Sequence, residues 1–320
     1  MVNSKLSPTV VPVANHSPSA DGDALRDAMK GFGTNEEVII EILTARSNAQ
    51  RQDIIQYFLS EFGRDLIQDL KSELGGKFED LIVALMFPNV SYLCKELKRA
   101  MNGIGTKESV LIEILCSKTN DEIKEIVTTY EDMYERPLVE HVCSETSGHF
   151  GRLLTLILIG ARDESGNVDS ALAKEQAAKL YEAGESKLGT DEDVFNRILA
   201  HASFEQLRLV FDEYKQLSGN TIEQAIKHEL SGELAEAMQA IVECIQSPVE
   251  YFATRLYGAM KGMGTDDSTL IRIIVSRSEI DLNDIKVEFE RKYNRTLLSA
   301  IRSETSGDYK KALCALIGDV

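Results

Sequence analysis

A chain that repeats itself has to fold as copies of one unit stacked on each other, and this sequence repeats four times. Gly31-Phe32-Gly33-Thr34, Gly103-Ile104-Gly105-Thr106, Lys187-Leu188-Gly189-Thr190 and Gly262-Met263-Gly264-Thr265 each end in a Gly-Thr pair, and the pairs stand 72, 84 and 75 residues apart. Counted from Gly33, Gly105, Gly189 and Gly264, an isoleucine falls at +9 (Ile42, Ile114, Ile198, Ile273) and an aromatic ring at +25 (Phe58, Tyr130, Tyr214, Phe289). A glutamate follows at +40 (Glu73, Glu145, Glu229, Glu304) and a glycine at +43 (Gly76, Gly148, Gly232, Gly307). No gap is needed anywhere in that register, and agreement at four offsets in four copies marks duplication.

Each unit reads as helical. Apolar residues recur at three-to-four spacing, as in Val38, Ile39, Ile42, Leu43 and again in Ile54, Ile55, Phe58, Leu59, and no strand-length alternation competes. The breaks predict five short helices per unit, with the glycine loop between the first and second and the Glu-x-x-Gly segment between the fourth and fifth. The threonine after each loop glycine is expected to cap the second helix, with Thr34 and Glu37 as a capping box. Residues 1–20 hold three of the six prolines and little periodicity, so they read as a mobile tail. The units are placed at 21–88, 89–160, 171–246 and 247–320, with a polar linker at 161–170 joining two halves of two units each.

Composition narrows the function. Against 35 Lys and Arg stand 52 Asp and Glu, a net charge of −17, which disfavours nucleic acid and direct adhesion to an anionic membrane. The apolar runs are too short to span a bilayer and the N-terminus lacks the order of a secretory signal, so a cytoplasmic protein is expected. Five scattered cysteines and five dispersed histidines show neither C-x-x-C nor H-E-x-x-H spacing, which argues against a disulfide framework, a zinc site and a His-based catalytic centre.

The loops point to a hard cation. Gly-x-Gly between helices allows positive φ and turns several carbonyl oxygens toward one point. Calcium takes such neutral oxygens together with a bidentate carboxylate. A helix stop or a cap explains one glycine loop, but neither requires an acid forty residues downstream in every copy. No segment fits the EF-hand loop, the P-loop or the dinucleotide fingerprint. No nucleophile elbow is present either, and carboxylates that recur fourfold do not look like one catalytic site, so an enzyme is not expected.

At these residues the chain resembles the annexin family. Four units cover everything after the tail, with the M-K-G-x-G-T type of loop and its distal acid, and Ser276 to Asp281 and Ser306 to Ala312 also resemble the family closely. The resemblance implies an all-α fold, four homologous five-helix repeats arranged as a curved disc, and calcium as cofactor. It assigns the carbonyls of Met29, Gly31 and Gly33 with Glu73, of Met101, Gly103 and Gly105 with Glu145, and of Met260, Gly262 and Gly264 with Glu304. The third unit departs from the pattern, so its set is Gly184, Lys187 and Gly189 with Glu229, and a different affinity is expected there. Secondary sites would pair Thr34 with Glu36, Thr106 with Glu108, Thr190 with Glu192 and Thr265 with Asp267, although acids in a first helical turn also suit the macrodipole.

The function so implied is calcium-dependent, reversible binding to anionic, phosphatidylserine-like membranes, with the protein peripheral at the membrane when calcium rises. A protein partner for the tail and self-association on membranes remain open, as does phosphorylation of Ser4, Ser7 and Thr9. The +8 register places Glu41, Glu113, Arg197 and Arg272 as charges that pair across the middle of the molecule. Glu113 and Arg272 form the central ion pair by resemblance and motivate an alternative, calcium conduction through a polar pore. A calcium-independent helical scaffold is the other alternative.

Overall fold

In the computed structural model, which describes residues 6–31, 33–103 and 105–318, twenty α-helices and no strand occur among the described residues. The first repeat comprises α1 (Pro18–Ala28), α2 (Glu36–Ala45), α3 (Asn48–Phe62), α4 (Leu66–Glu73) and α5 (Gly76–Leu85). The second has α6 (Asn89–Ala100), α7 (Glu108–Leu115), α8 (Asn120–Tyr134), α9 (Leu138–Glu145) and α10 (Gly148–Leu158). The third has α11 (Ser170–Ala183), α12 (Glu192–His201), α13 (Phe204–Ser218), α14 (Ile222–Glu229) and α15 (Gly232–Gln246). The fourth has α16 (Pro248–Met260), α17 (Asp267–Arg277), α18 (Leu282–Tyr293), α19 (Leu297–Glu304) and α20 (Gly307–Leu316).

The repeated residues are the ones each unit needs to close its core. The +25 rings are sealed, with Phe58, Tyr130 and Tyr214 at 0% exposure and Phe289 at 1%, and the +9 isoleucines are buried too. Truncating such a ring costs about 3–5 kcal/mol. The +43 glycines begin the fifth helices at φ between 60° and 63°, a left-handed conformation that lets the chain reverse in two residues after the fourth helix. Helix starts are fixed locally, by capping boxes at Ser47 with Gln50, Thr119 with Glu122 and Thr221 with Gln224. The third helices stop at left-handed residues, Gly63, Glu135, Gly219 and Asn294.

The repeats do not pair in chain order. One compact unit comprises residues up to Tyr92 together with Phe252 onward, and the other runs from Leu93 to Tyr251. In the first, α20 packs on α2 and α5 on α17, so repeats one and four exchange their fifth helices. In the second, α10 packs on α12 and α15 on α7, the same exchange between repeats two and three. Ion pairs mark the two seams in one register, Lys311 with Glu37 at 3.5 Å and Arg152 with Asp193 at 3.0 Å. The polar stretch expected to separate two halves therefore lies inside a unit, joining repeats that pack together. Apolar helix faces choose their partners by fit, which connectivity does not record.

That connection is also well anchored. The Arg162 guanidinium donates to the carbonyls of Ala202 and Leu199 at 2.7 and 2.8 Å, and Asn120 donates to the Arg162 carbonyl at 2.7 Å. Burial pulls Arg162 down to about 10. A glutamine at +17 then clasps the extended segment before the first helix of the repeat. Gln206 accepts from Asp169 N and donates to Asp169 O at 2.9 and 3.0 Å, and Gln50 does the same to Val13 at 3.0 and 2.8 Å.

The segment read from sequence as a mobile tail is thus held where it is described. Besides the Gln50 clasp, Ser7 N donates to Asp284, Asn283 donates to Pro8 O, Thr9 and Val10 both donate to Ser278 O, and the Val10 side chain is buried. Proline lacks a backbone N–H but keeps its carbonyl, and its fixed φ favours extended chain, so a strap bonded through the remaining N–H and carbonyl groups leaves no helical signature. Ser4 lies outside the described residues.

The charges of the +8 register split by burial. Glu113 on α7 and Arg272 on α17 are 3% and 1% exposed, and Arg272 donates to Thr269 at 3.0 Å, whereas Glu41 and Arg197 are exposed. No described helix is long and apolar enough to cross a membrane.

Two outcomes are expected. Gln50→Ala removes the two clasp bonds to Val13 and the capping-box bond from Ser47 N, each worth about 0.5–1.5 kcal/mol, so limited proteolysis within residues 6–17 should accelerate several-fold; an unchanged digestion rate would exclude the clasp. The second concerns His141, which is buried with Nδ1 2.6 Å from the Tyr130 hydroxyl. Burial, then Arg136 and Lys98, hold it below the ordinary histidine range. The folded state keeps it neutral while the unfolded chain protonates near pH ~6.5, so stability is full above that pH and declines as pH falls below it. The fall in Tm between pH 7 and 5.5 should be smaller in His141→Gln.

Candidate cation-binding loops

Each glycine loop joins the first and second helices of its repeat and is closed by one backbone bond: Asn35 N to Ala28 O at 2.9 Å, Lys107 N to Ala100 O at 2.9 Å, and Asp266 N to Ala259 O at 2.8 Å. Within those loops Gly31 and Gly33 have φ of 105° and 89°, Gly103 and Gly105 of 112° and 85°, and Gly262 and Gly264 of 123° and 93°. An L side chain rarely adopts such angles, so glycine is what permits the carbonyls to turn. Met29, Met101 and Met260 enter these loops with buried side chains. Each methionine therefore roots its loop in the core at the point where the first helix gives way to the turn.

The distal glutamates arrive at the same turns. Glu73, Glu145, Glu229 and Glu304 are the last residues of α4, α9, α14 and α19, and all four are at least partly exposed. The loop threonine ties the two ends together. Thr34 donates to Glu73 Oε2 at 2.9 Å, Thr106 to the Glu145 carbonyl at 3.1 Å, Thr265 to the Glu304 carbonyl at 3.4 Å, and Thr190 to both Oε2 and the carbonyl of Glu229 at 2.9 and 3.1 Å. These threonines were expected as helix caps. The cap position instead falls one residue later, on Asn35, Lys107, Asp191 and Asp266, of which Asn35 and Asp266 accept a backbone N–H. The hydroxyl is occupied in joining the loop to the distant acid.

The third loop is built differently. It closes from Asp191 N to Ala183 O at 2.7 Å and so holds one residue more than the others. Gly184 replaces the rooted methionine, and a Cβ there would stand 3.1 Å from Glu229 Cγ. A turn follows in which Lys187 N donates to the Gly184 carbonyl at 3.1 Å. Glu185 reaches inward, accepting from the Tyr214 hydroxyl at 2.6 Å and from Asn220 at 2.7 Å. Burial and then Glu185 raise the Tyr214 phenol well above its ordinary range.

The acids assigned to secondary sites, Glu36, Glu108, Glu192 and Asp267, are each the first residue of their helix. Glu36 and Glu73 line one open pocket of about 400 Å³ with Lys77, Asp308 and Tyr309. Glu192 lies 3.7 Å from His149. Two features escaped the sequence reading. Leu188 and Met263, at the tips of the third and fourth loops, are fully exposed at 105% and 107%, and the Glu185 contact depends on a residue in another helix. The equivalent tips, Phe32 and Ile104, lie outside the described residues.

The donor set suits a hard cation. Among the described residues no group of three or more His, Cys, Asp or Glu side chains is arranged so that it could hold a metal ion by side chains alone. Flexible carbonyl turns beside a single carboxylate fit calcium's preference for many oxygens at modest charge.

Comparison with known proteins identifies the same four repeats. The annexin family model matches residues 20–85, 92–157, 176–241 and 251–316, one segment per repeat. Annexin B10 of Drosophila melanogaster is 66% identical over 97% of this chain and 98% of its own, and annexin A4 of Mus musculus is 51% identical over 97% of both. Among solved structures, annexin III superposes with a TM-score of 0.96 at 46% identity over 99% of both chains. A calcium-bound annexin, annexin (Sm)1, gives 0.86 at 34% identity over 98% of this chain and 94% of that one. With four matched repeats and this identity over nearly its whole length, the chain belongs to the annexin family.

Proposed function

We propose that this protein binds anionic phospholipid membranes reversibly and only in the presence of calcium, acting as a binding protein and not as a catalyst. The observation that carries the reading is the fourfold contact between a glycine loop and a glutamate forty residues away, made by a threonine in every repeat. Family membership and the likeness to a calcium-bound annexin support it. A net charge of −17 sets the problem, because an acidic protein and an acidic surface repel. Bound calcium supplies positive charge and open coordination positions for lipid phosphate.

The protein's own residues do the rest. The carbonyls of Met29, Gly31 and Gly33 with Glu73 would hold the ion in the first repeat, and the corresponding sets in the second and fourth repeats are Met101, Gly103, Gly105 with Glu145 and Met260, Gly262, Gly264 with Glu304. Gly184, Lys187, Gly189 and Glu229 would serve in the third. The threonine bond keeps each glutamate beside its loop, through the carboxylate in repeats one and three and through the backbone carbonyl in repeats two and four, so less ordering remains to be done when the ion arrives. Leu188 and Met263, fully exposed at their tips, add apolar contact with the lipid surface once the loops are held against it. Attachment is therefore peripheral, in a protein otherwise resident in the cytoplasm. The buried Glu113 and Arg272 we read as structural charges.

Sedimentation with phosphatidylserine vesicles tests this. The wild type should sediment with calcium and be released by chelator, while a variant with Glu73, Glu145, Glu229 and Glu304 changed to Gln should need at least about tenfold more calcium, because affinity follows ligand charge. Equal sedimentation of the two proteins would refute the site assignment. Leu188→Ala with Met263→Ala should weaken vesicle attachment about tenfold, as expected for losing two partly buried apolar contacts, and an undiminished affinity would remove the tips from the mechanism.

A further inference from the structure

The third loop lacks the root that holds the other three. Loops one, two and four begin with a buried methionine, whereas Gly184 has no side chain, and the nearness of Glu229 leaves little room for one. The loop is also one residue longer, which leaves one more residue of backbone to be ordered. Both deficits weaken a site made of backbone carbonyls, since each must be aimed before the ion can use it.

We infer that Glu185 is the positioning residue of the third loop, a side-chain anchor that replaces the missing methionine by clasping Tyr214 and Asn220. Its Oε2 accepts from the fully buried Tyr214 hydroxyl at 2.6 Å and its Oε1 from Asn220 Nδ2 at 2.7 Å. Tyr214 lies on α13 and Asn220 just beyond its C-terminus, so the clasp fastens the loop to the end of a core helix. Both carboxylate oxygens are directed into these bonds, and hydrogen bonds to an ionised acceptor are among the stronger ones. With Glu185 turned inward, Ser186, Lys187 and Leu188 are left exposed on the side where the ion and lipid are expected.

The aromatic at +25 explains why the device belongs to this repeat. Phe58 and Phe289 carry no hydroxyl, and the Tyr130 hydroxyl is engaged with His141. Lys30, Asn102 and Lys261 follow the methionines where Glu185 follows Gly184. Of the four +25 rings, only Tyr214 bonds a loop carboxylate.

This inference rests on the calcium reading, and the test separates the two. The chain contains no tryptophan, so Leu188→Trp places a single indole at the tip of the third loop and Met263→Trp does the same in the fourth. Calcium titration of each reporter with phosphatidylserine vesicles gives one midpoint per loop. Adding Tyr214→Phe should raise the third-loop midpoint about tenfold, the loss of one charge-assisted hydrogen bond, and Glu185→Ala, which removes both bonds of the clasp, at least as much; both should leave the fourth-loop midpoint unmoved. Glu185→Gln, which keeps an acceptor, should be shifted less than Glu185→Ala. Without calcium, amide hydrogen exchange over residues 185–190 should quicken in Tyr214→Phe. A third-loop midpoint that stays put overturns the inference. So does one that falls in Tyr214→Phe, because Glu185 would then be an ion ligand released from its clasp. Equal movement of both reporters also overturns it, as a general loss of stability. A Leu188→Trp parent with no calcium response would count against the calcium reading itself.

Discussion

In every repeat two turns forty residues apart are kept side by side, the arrangement that the proposed cation site of loop carbonyls and one remote carboxylate would require. The threonine hydroxyl makes the contact directly, reaching Glu73, Glu145, Glu229 or Glu304. The contact is weak by itself, about 0.5–1.5 kcal/mol. It persists because the helices that carry the two turns are packed around a sealed aromatic ring and because a left-handed glycine reverses the chain after each glutamate. Core, turn and site thus form one chain of dependence.

The same logic accounts for the pairing of repeats. A five-helix unit of this size leaves an apolar face uncovered, and exchange of fifth helices between repeats one and four, and between two and three, covers it. Repeat arrays normally satisfy such faces between neighbours in sequence. Here the first and fourth repeats meet although they are the most distant in the chain, and the strap of residues 7–13 ties both of them, bonding to Ser278 and Asn283 in one and Gln50 in the other. The N-terminal segment is therefore part of the packing of that unit as well as a lead-in to the first helix.

Within this shared frame the repeats have diverged where anchoring is concerned. Three loops use a methionine whose side chain is core and whose carbonyl we assign to the proposed site, a single residue serving both ends. The third uses a glycine and passes the anchoring role to Glu185, which borrows the hydroxyl of a ring whose counterparts are phenylalanines in repeats one and four and a tyrosine bonded to His141 in repeat two. Duplicated units permit such exchange, because a loss at one position can be compensated locally while the other copies continue to serve.

The sequence by itself determined the unit, its five helices, the family and the residues that recur, because duplication prints every shared physical requirement four times in one register. Isoleucine at +9, the ring at +25, glutamate at +40 and glycine at +43 were legible for that reason. Tertiary structure alone decided what each copy does once: which repeats pair, that the proline-containing tail is a strap, that the loop threonine serves the distant acid before the cap, and that Glu185 is an anchor. These depend on contacts between residues far apart in the chain or on features present in one repeat only, and neither leaves a periodic mark in the sequence.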